Sequence, residues 1–223
     1  LQLRLSNSHQ KWKELMYRYV LPVVLLVSQH NMALADEAAS QKLNVLLEKV
    51  TSMRANFEQH TIDPKGQTLQ TLTGQMSVQR PYLFRWDTQK PFTQQVIANG
   101  QVVWIYDPDL QQATKQKLDK QVGNTPALLL SGDSKKIAQS FTVSQEKGLS
   151  AKQSVFILKP KDKEAVFESL KLTFNNQSLN SMQLKDSLGQ RTDIFFSQMQ
   201  VNGKIAPSFF QFTPPKDVDV IDE

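Results

Sequence analysis

The spacing of apolar residues changes once along the chain, shortly after residue 51. Before that point, apolar residues recur every three or four positions, which is the period of one face of an α-helix. These residues are Ala39, Leu43, Leu46, Leu47 and Val50. Asp36 and Glu37 lie at the N-terminal end of the stretch, where carboxylates stabilise a helix. The pattern predicts one amphipathic helix over residues 36–51.

After residue 51, short segments repeat with a period of two, which is typical of β-strands. Turn formers such as Asn99-Gly100 and Asn202-Gly203 separate them. The predicted strands cover 55–61, 68–79, 83–88, 93–99, 102–107, 112–117, 141–147, 154–159, 167–175, 178–186, 190–199 and 208–213. Because the connections are tight, we expect one antiparallel, meandering sheet in a single domain.

Residues 123–139 interrupt the strands. Thr125 suits a helix cap, Pro126 suits the first helical position and Gly132 suits a helix end. We therefore predict a short helix here, followed by a second one from Ser134 to Gln139. Ala127 to Leu130 are apolar on every side of the first helix, so that helix needs a cover on more than one side.

Several strands are apolar on both faces. Phe84 and Trp86 share one face of a strand, yet Leu83 lies on the other, and Val103 opposes Trp104 in the same way. A sheet with one solvated face alternates more cleanly. We infer a strongly curved sheet whose inner face is closed by the helices, with either a fully packed interior or an apolar cavity.

The N-terminal region has the layout of a secretory signal. Lys11, Lys13 and Arg18 precede the apolar stretch 19–27, and Ala33-Leu-Ala35 provides a cleavage site. A transmembrane anchor is the alternative, but residues 19–27 as a helix would span only about 14 Å of a hydrocarbon core about 30 Å thick. We predict a signal peptide over residues 1–35, with residues 1–15 upstream of a start at Met16, and a mature domain over 36–223.

Charge and composition exclude several classes of function. The chain has 26 basic and 21 acidic residues, and removal of residues 1–35 takes four basic and one acidic residue, which leaves 22 and 20. A net charge of about +2 without a basic stripe does not indicate nucleic-acid binding. The absence of cysteine excludes disulfides and thiolate chemistry. For a secreted chain, that absence fits a bacterial periplasm.

The sequence also lacks the residues that catalysis needs. No nucleophile elbow, zinc-protease, P-loop or dinucleotide-binding motif is present. His60 is the one histidine expected in the mature chain, and we interpret it as an exposed or hydrogen-bonded structural residue. Glu168, Asp186 and Asp193 lie in different predicted strands, and no pattern pairs them for glycoside hydrolysis. We expect no enzyme activity, no metal and no cofactor.

Four motifs, taken in order, carry a family resemblance. They are Val-Gln-Arg-Pro-Tyr-Leu-Phe-Arg-Trp at 78–86, Gly-Gln-Val-Val-Trp-Ile-Tyr-Asp-Pro at 100–108, Gly-Asn-Thr-Pro at 123–126 and Phe-Gln-Phe-Thr-Pro-Pro at 210–215. Together they resemble the periplasmic outer-membrane lipoprotein carriers, the LolA family, across about residues 36–223.

The resemblance implies a mainly β (α+β) fold, in which a curved antiparallel sheet forms an incomplete β-barrel with short α-helices as a lid over an apolar cavity. It implies a monomeric periplasmic chaperone without stable membrane insertion. Such a chaperone binds the acylated N-terminus of outer-membrane lipoproteins released by the inner-membrane ABC transporter LolCDE. It then delivers them to the outer-membrane receptor LolB.

Residue roles follow by position in the motifs. Arg80 matches the arginine that holds the lid closed. The residues that match the acyl-chain cavity are Phe84, Trp86, Leu43, Leu47, Leu128 and Leu130. The residues that match the lid helix are Pro126, Ala127, Leu128, Leu129 and Leu130.

Two other functions fit the sequence less well. A lipocalin-like binder of free lipids, or an envelope lipid sensor, would share the barrel without needing protein partners. A hydrolase of envelope polymers would need a carboxylate pair in a cleft. The LolB receptor itself resembles the carrier, but it needs a cysteine directly after its signal, and this chain has none.

Overall fold

A computed structural model describes residues 36–118 and 126–223. The predicted signal peptide and the residues Gly123 to Thr125 lie outside these ranges. Helix α1 covers residues 36–48 and ends about one turn earlier than predicted, where the chain turns through Lys49 into the first strand. Its inward face is the predicted one, because Ala39, Leu43 and Leu47 are buried.

The described residues form one twelve-stranded curved sheet. Its strands are β1 (Ser52–Ile62), β2 (Thr68–Gln79), β3 (Leu83–Lys90), β4 (Gln94–Asn99), β5 (Val102–Asp107), β6 (Gln112–Lys117), β7 (Phe141–Lys147), β8 (Gln153–Pro160), β9 (Phe167–Asn175), β10 (Ser178–Asp186), β11 (Arg191–Val201) and β12 (Asp219–Asp222). Their order across the sheet is β12-β6-β5-β4-β3-β2-β1-β11-β10-β9-β8-β7. The mainly β prediction and eleven of the predicted strands are confirmed.

The prediction for the twelfth strand is wrong. Residues 208–213 are not a strand, and Pro207–Phe210 forms a 3₁₀ turn instead. Prolines at 207, 214 and 215 flank this segment, and proline cannot donate to a strand ladder. The twelfth strand is β12, which pairs with β6 in parallel, so the sheet is not purely antiparallel.

A helical cover, residues 126–140, connects β6 to β7 across the sheet. It consists of a 3₁₀ turn at Pro126–Leu130, a second at Ser134–Lys136 and helix α2 at Ile137–Ser140. The prediction of a helix after Pro126 is correct in place but not in type, because the turn is five residues long and 3₁₀. The second predicted helix starts at Ser134 as expected, and only its end is α-helical.

Antiparallel pairing places the turns alternately at two ends of the sheet. The Arg80 end carries the loops 80–82, 100–101, 148–152 and 176–177, together with residues 202–206 that follow β11. The Pro64 end carries the loops 63–67, 91–93, 108–111, 161–166 and 187–190. The loops at these two ends differ in the sign of their charged residues.

The main core lies between the inner face of the sheet, α1 and the helical cover. Phe84 is 0% exposed, and its neighbour Trp86 stacks on Phe57 with ring centroids 3.8 Å apart. Gly74 lets β2 approach both β3 and this stack closely, because a Cβ at that position would collide with the Asp87 carbonyl oxygen and would lie 2.7 Å from the Phe57 ring. The close approach of β2 to the aromatic rings therefore requires a glycine.

The C-terminal segment covers part of the outer face. The Phe212 ring lies 5.5 Å from the Trp104 ring and 5.1 Å from the Tyr106 ring. Phe209 lies 4.9 Å from the guanidinium groups of both Arg54 and Arg85. The outer apolar residues of β3–β6 are thus covered by the chain's own C-terminal segment, which the strand period alone did not predict.

Candidate functional site

An apolar cavity of about 190 Å³ lies at the Arg80 end, beneath α1. Its apolar wall includes Leu46, Leu47, Met53, Leu130, Phe174 and Leu179. A cavity of about 150 Å³ accommodates one benzene-sized ligand. The cavity therefore has room for only a short part of an acyl chain.

Two hydrogen bonds connect the β2–β3 turn to the helical cover. Arg80 Nη1 donates to the Gly132 carbonyl oxygen at 2.6 Å, and the Tyr82 backbone N–H donates to the Ser131 carbonyl oxygen at 2.8 Å. A hydrogen bond within the cover lies at the same point, where Ser131 Oγ donates to the Leu128 carbonyl oxygen at 2.8 Å. The turn between β2 and β3 therefore holds the end of the first 3₁₀ turn directly.

The Arg80 side chain lies in a partly desolvated environment. Burial lowers the pKa of Arg80 from its usual value, and the nearby charges of Asp133 and Glu48 oppose that shift. An arginine keeps its proton through the neutral range. The guanidinium is therefore a permanent cation facing the cover.

Two buried polar atoms of the described residues have no hydrogen-bond partner. They are Arg80 Nε and Asn44 Oδ1. Asn44 precedes Glu48 by one turn of α1, and the charge of Glu48 acts on Arg80. One donor and one acceptor are thus left unsatisfied near Arg80 and α1, and each such atom costs about 1–3 kcal/mol.

The residues predicted for the cavity divide into two groups. Leu47 and Leu130 line the cavity. Leu43, Phe84, Trp86 and Leu128 belong to the same apolar cluster but are enclosed by neighbouring side chains. The predicted cavity residues are thus contiguous, although only part of the set faces free space in the closed form.

The residues predicted for the lid helix form the first 3₁₀ turn of the cover. That turn begins at Pro126. Ala127, Leu128 and Leu130 are buried, and Leu129 is half-buried. This segment is apolar all the way round, and its side chains are buried on more than one side, as that pattern requires.

Sequence reasoning missed several cavity residues. Met53, Val78, Phe174, Leu179 and Met199 all line the cavity. Each is an apolar residue at or near the end of a strand, and the strand period alone gives no sign of which strand ends converge. Finding them requires the pairing register between strands that are distant in sequence, which only the structure shows.

The C-terminal end of α1 is fixed to the sheet beside the cavity. Asn202 Nδ2 donates to the Lys49 carbonyl oxygen at 3.0 Å, and Asn202 Oδ1 accepts from the Thr51 backbone N–H at 2.8 Å. Along the exposed side of α1, Lys49 Nζ donates to Gln177 Oε1 at 2.8 Å and Lys42 Nζ donates to Gln145 Oε1 at 3.1 Å. Helix α1 is therefore anchored firmly at its C-terminal end and held along its length by weaker exposed contacts.

Other polar groups have structural partners. His60 Nε2 lies 2.8 Å from Glu58 Oε1, and its Nδ1 lies 3.1 Å from Thr71 Oγ1, as expected for a hydrogen-bonded structural histidine. Within residues 36–118 and 126–223, no group of three or more histidines and carboxylates is arranged to hold a metal ion. The helices of the described part of the chain include none that is long and apolar enough to cross a membrane.

This geometry defines a class of protein, in which a curved sheet encloses apolar space beneath helical segments and is suited to an apolar ligand. The sequence matches the family described as outer membrane lipoprotein carrier protein LolA over residues 48–213. The chain belongs to this family.

Individual relatives agree with the family match. The chain is 46% identical over 188 residues to an outer-membrane lipoprotein carrier protein of Pseudomonas paraeruginosa, covering 84% of this chain and 89% of the relative. It is 47% identical over 204 residues to the protein of the same name from Pseudomonas entomophila, covering 90% of this chain and 98% of the relative.

Solved structures with little sequence similarity share the fold. An uncharacterized conserved protein from Thermus thermophilus superposes with a TM-score of 0.55 at 13% identity, covering 82% of this chain and 98% of that one. A DUF1329 family protein from Desulfovibrio piger gives a TM-score of 0.51 at 10% identity, covering 79% of this chain and 97% of that one. At these identities the likeness concerns the fold alone.

Proposed function

We propose that this protein is a periplasmic chaperone that carries outer-membrane lipoproteins by enclosing their acylated N-terminus. The apolar cavity beneath α1, lined in part by Leu130 of the cover that Arg80 contacts directly, supports this proposal most strongly. The names of its relatives, outer-membrane lipoprotein carrier protein, support the same cargo.

The physical need for such a carrier is large. Each CH₂ group removed from water contributes about 0.8 kcal/mol, or roughly 12 kcal/mol for one long chain. This free-energy cost prevents an acyl chain from crossing an aqueous compartment while it is exposed to water. A curved sheet with an apolar inner face supplies the required shelter, and no nucleotide is needed for it.

The closed cavity must enlarge to admit a whole chain. Release of the cover breaks the Arg80–Gly132 bond, worth about 1.5–3 kcal/mol, and the Tyr82–Ser131 bond, worth about 0.5–1.5 kcal/mol. Both together are smaller than the gain from hiding one acyl chain. We propose that the cover then moves as a lid and that Leu43, Phe84, Trp86 and Leu128 become part of the acyl-chain surface.

Hand-over follows from nearly balanced affinities. When a chain moves from one apolar pocket to another, the large burial free energy cancels, so small differences in affinity set the direction. We propose that the donor is the inner-membrane LolCDE transporter and that the acceptor is the outer-membrane receptor LolB. The predicted signal at 1–35 would bring the chain to the periplasm, where both partners are accessible.

Mass spectrometry of the protein purified gently from its native periplasm tests the cargo. We expect acylated protein to co-purify. Recovery of free fatty acid or phospholipid without acylated protein would instead identify a binder of free lipids, and the carrier proposal would be rejected.

A further inference from the structure

Turn 176–177 and Asn202 border the apolar cavity at the Arg80 end, and a third loop, 148–152, adjoins them. The Asn176 backbone N–H donates to the Lys152 carbonyl oxygen at 2.9 Å, which joins the 176–177 turn to the β7–β8 loop. Gln177 accepts from Lys49 of the α1 end, and Asn202 binds the Lys49 carbonyl. Loop 148–152, turn 176–177 and residues 202–204 therefore form one continuous surface, which we call the mouth face.

The mouth face presents an apolar side chain that the loop holds outward. Leu149 is 98% exposed, yet its backbone is fixed, because its N–H donates to Gln153 Oε1 at 2.8 Å. Gly148 allows this tight turn, since a Cβ there would lie 2.6 Å from the Gln153 carbonyl oxygen. The leucine is therefore displayed by an ordered turn.

The charges around this leucine are of one sign. Lys147 and Lys152 flank it, and Lys49 and Lys204 lie on the adjoining segments, all four exposed. The segments 148–152, 176–177 and 202–206 contain no carboxylate. The nearest carboxylates have other partners, because Glu146 pairs with Lys171 at 3.3 Å and the charge of Glu48 acts on Arg80.

The Pro64 end provides an internal comparison. It displays two leucines, because Leu188 is 83% exposed at the β10–β11 turn and Leu110 is 70% exposed at the β5–β6 turn. Its loops are of mixed sign, however, since Asp63, Asp109, Asp162 and Glu164 lie among the lysines at 65, 161 and 163. Exposed leucines thus occur at both described ends of the sheet, and of these two ends only the mouth face combines one with uncompensated positive charge.

We propose that the mouth face docks transiently on an anionic phospholipid bilayer, with Leu149 entering the headgroup region and the flanking lysines contacting lipid phosphates. Lysines near an anionic surface attract it additively, and a single inserted apolar residue adds weak, reversible affinity. This geometry places the cavity mouth against the membrane surface. The inference goes beyond the proposed cargo function, because it requires no lipoprotein.

Co-sedimentation with cargo-free vesicles tests the inference. Phosphatidylcholine vesicles are compared with vesicles that also contain phosphatidylglycerol, at low salt and at about 0.15 M salt, where the screening length is about 8 Å. We expect binding to the anionic vesicles alone, and weaker binding at the higher salt. Lys147→Gln combined with Lys152→Gln should weaken binding about 25-fold, at about fivefold per lysine.

Matched variants distinguish binding through the mouth face from nonspecific adsorption of exposed apolar residues. Leu149→Asp should lower binding to anionic vesicles about tenfold or more, whereas Leu188→Asp should leave it unchanged. Both positions are exposed, and unchanged melting temperatures verify the folds. Equal binding to both vesicle types would overturn the inference. Equal losses of binding for the two leucine variants would overturn it as well. Cargo transport is measured separately, so its failure would not be confused with failure to dock.

Discussion

The contact between Arg80 and the helical cover makes a quantitative prediction about cargo release. Arg80→Leu removes the 2.6 Å hydrogen bond to the Gly132 carbonyl oxygen and leaves the Tyr82–Ser131 bond in place. We expect the variant to fold and to take up lipoprotein, but to fail to pass it on. The reason is that the bond stabilises only the closed form.

The size of the effect follows from that one bond. A hydrogen bond to a charged donor contributes about 1.5–3 kcal/mol, and the unpaired Arg80 Nε offsets part of that, so loss of the bond shifts the balance between closed and open forms by at most about 10- to 150-fold. Binding of cargo requires the open form, and the apparent affinity for cargo therefore rises by up to the same factor. A carrier that binds this much more tightly no longer loses its cargo to the receptor.

The effect on folding stability should be much smaller. Arg80 Nε has no partner in its buried position, and burial disfavours the charged form of the side chain. Replacement by leucine removes that unfavourable desolvation together with the hydrogen bond. Stability and cargo release are thus affected by different amounts, which lets an experiment separate them.

Two measurements complete the test. The affinity for a fluorescent lipopeptide reports the closed-to-open balance, and a transfer assay to the receptor reports release. Arg191→Leu makes the same chemical change at an exposed pair and should behave as wild type in both. Normal delivery by Arg80→Leu, or an unchanged lipopeptide affinity, would refute the role assigned to this arginine.

Three further substitutions follow from the structure. Phe84 is 0% exposed, so Phe84→Ala should lower the free energy of unfolding by about 3–5 kcal/mol in a denaturant titration; a loss below about 1 kcal/mol would show that the ring faces free space. Gly74→Ala would press a Cβ into the Asp87 carbonyl oxygen and place it 2.7 Å from the Phe57 ring, so it should cost at least about 3 kcal/mol by the same measurement, and a neutral result would contradict the packing described. Asn44→Leu removes the unpaired buried acceptor, so the melting temperature should rise; a lower melting temperature would argue against this interpretation.

Local sequence signals were sufficient for most of the secondary structure. The two-residue period gave strands such as β2 (68–79) and β9 (167–175) with their observed bounds, because one face of each strand packs on the core and the other does not. The helical face with Leu43 and Leu47 was equally clear, since a period near 3.6 leaves little choice of which side is buried.

Where apolar residues lacked a simple period, the sequence was ambiguous. Phe210 and Phe212 have the spacing of a strand, and the prediction of a strand at 208–213 followed from it. In the structure they are buried or half-buried against the outer face of the sheet without joining a ladder. Apolar spacing reports burial, and it does not report whether the backbone is paired with a neighbour.

The sequence by itself determined the class of fold, the inward face of α1 and the family, because these depend on residue types at short spacing and on motifs in order. Only the tertiary structure decided which strand ends meet around the cavity, how little of it stays empty when the cover is closed, and which residues face the core and which face the free space. Cavity walls are assembled from residues far apart in the chain, such as Met53, Leu130 and Phe174. Their convergence depends on the curvature of the whole sheet and the position of the cover, and no short stretch of sequence encodes either.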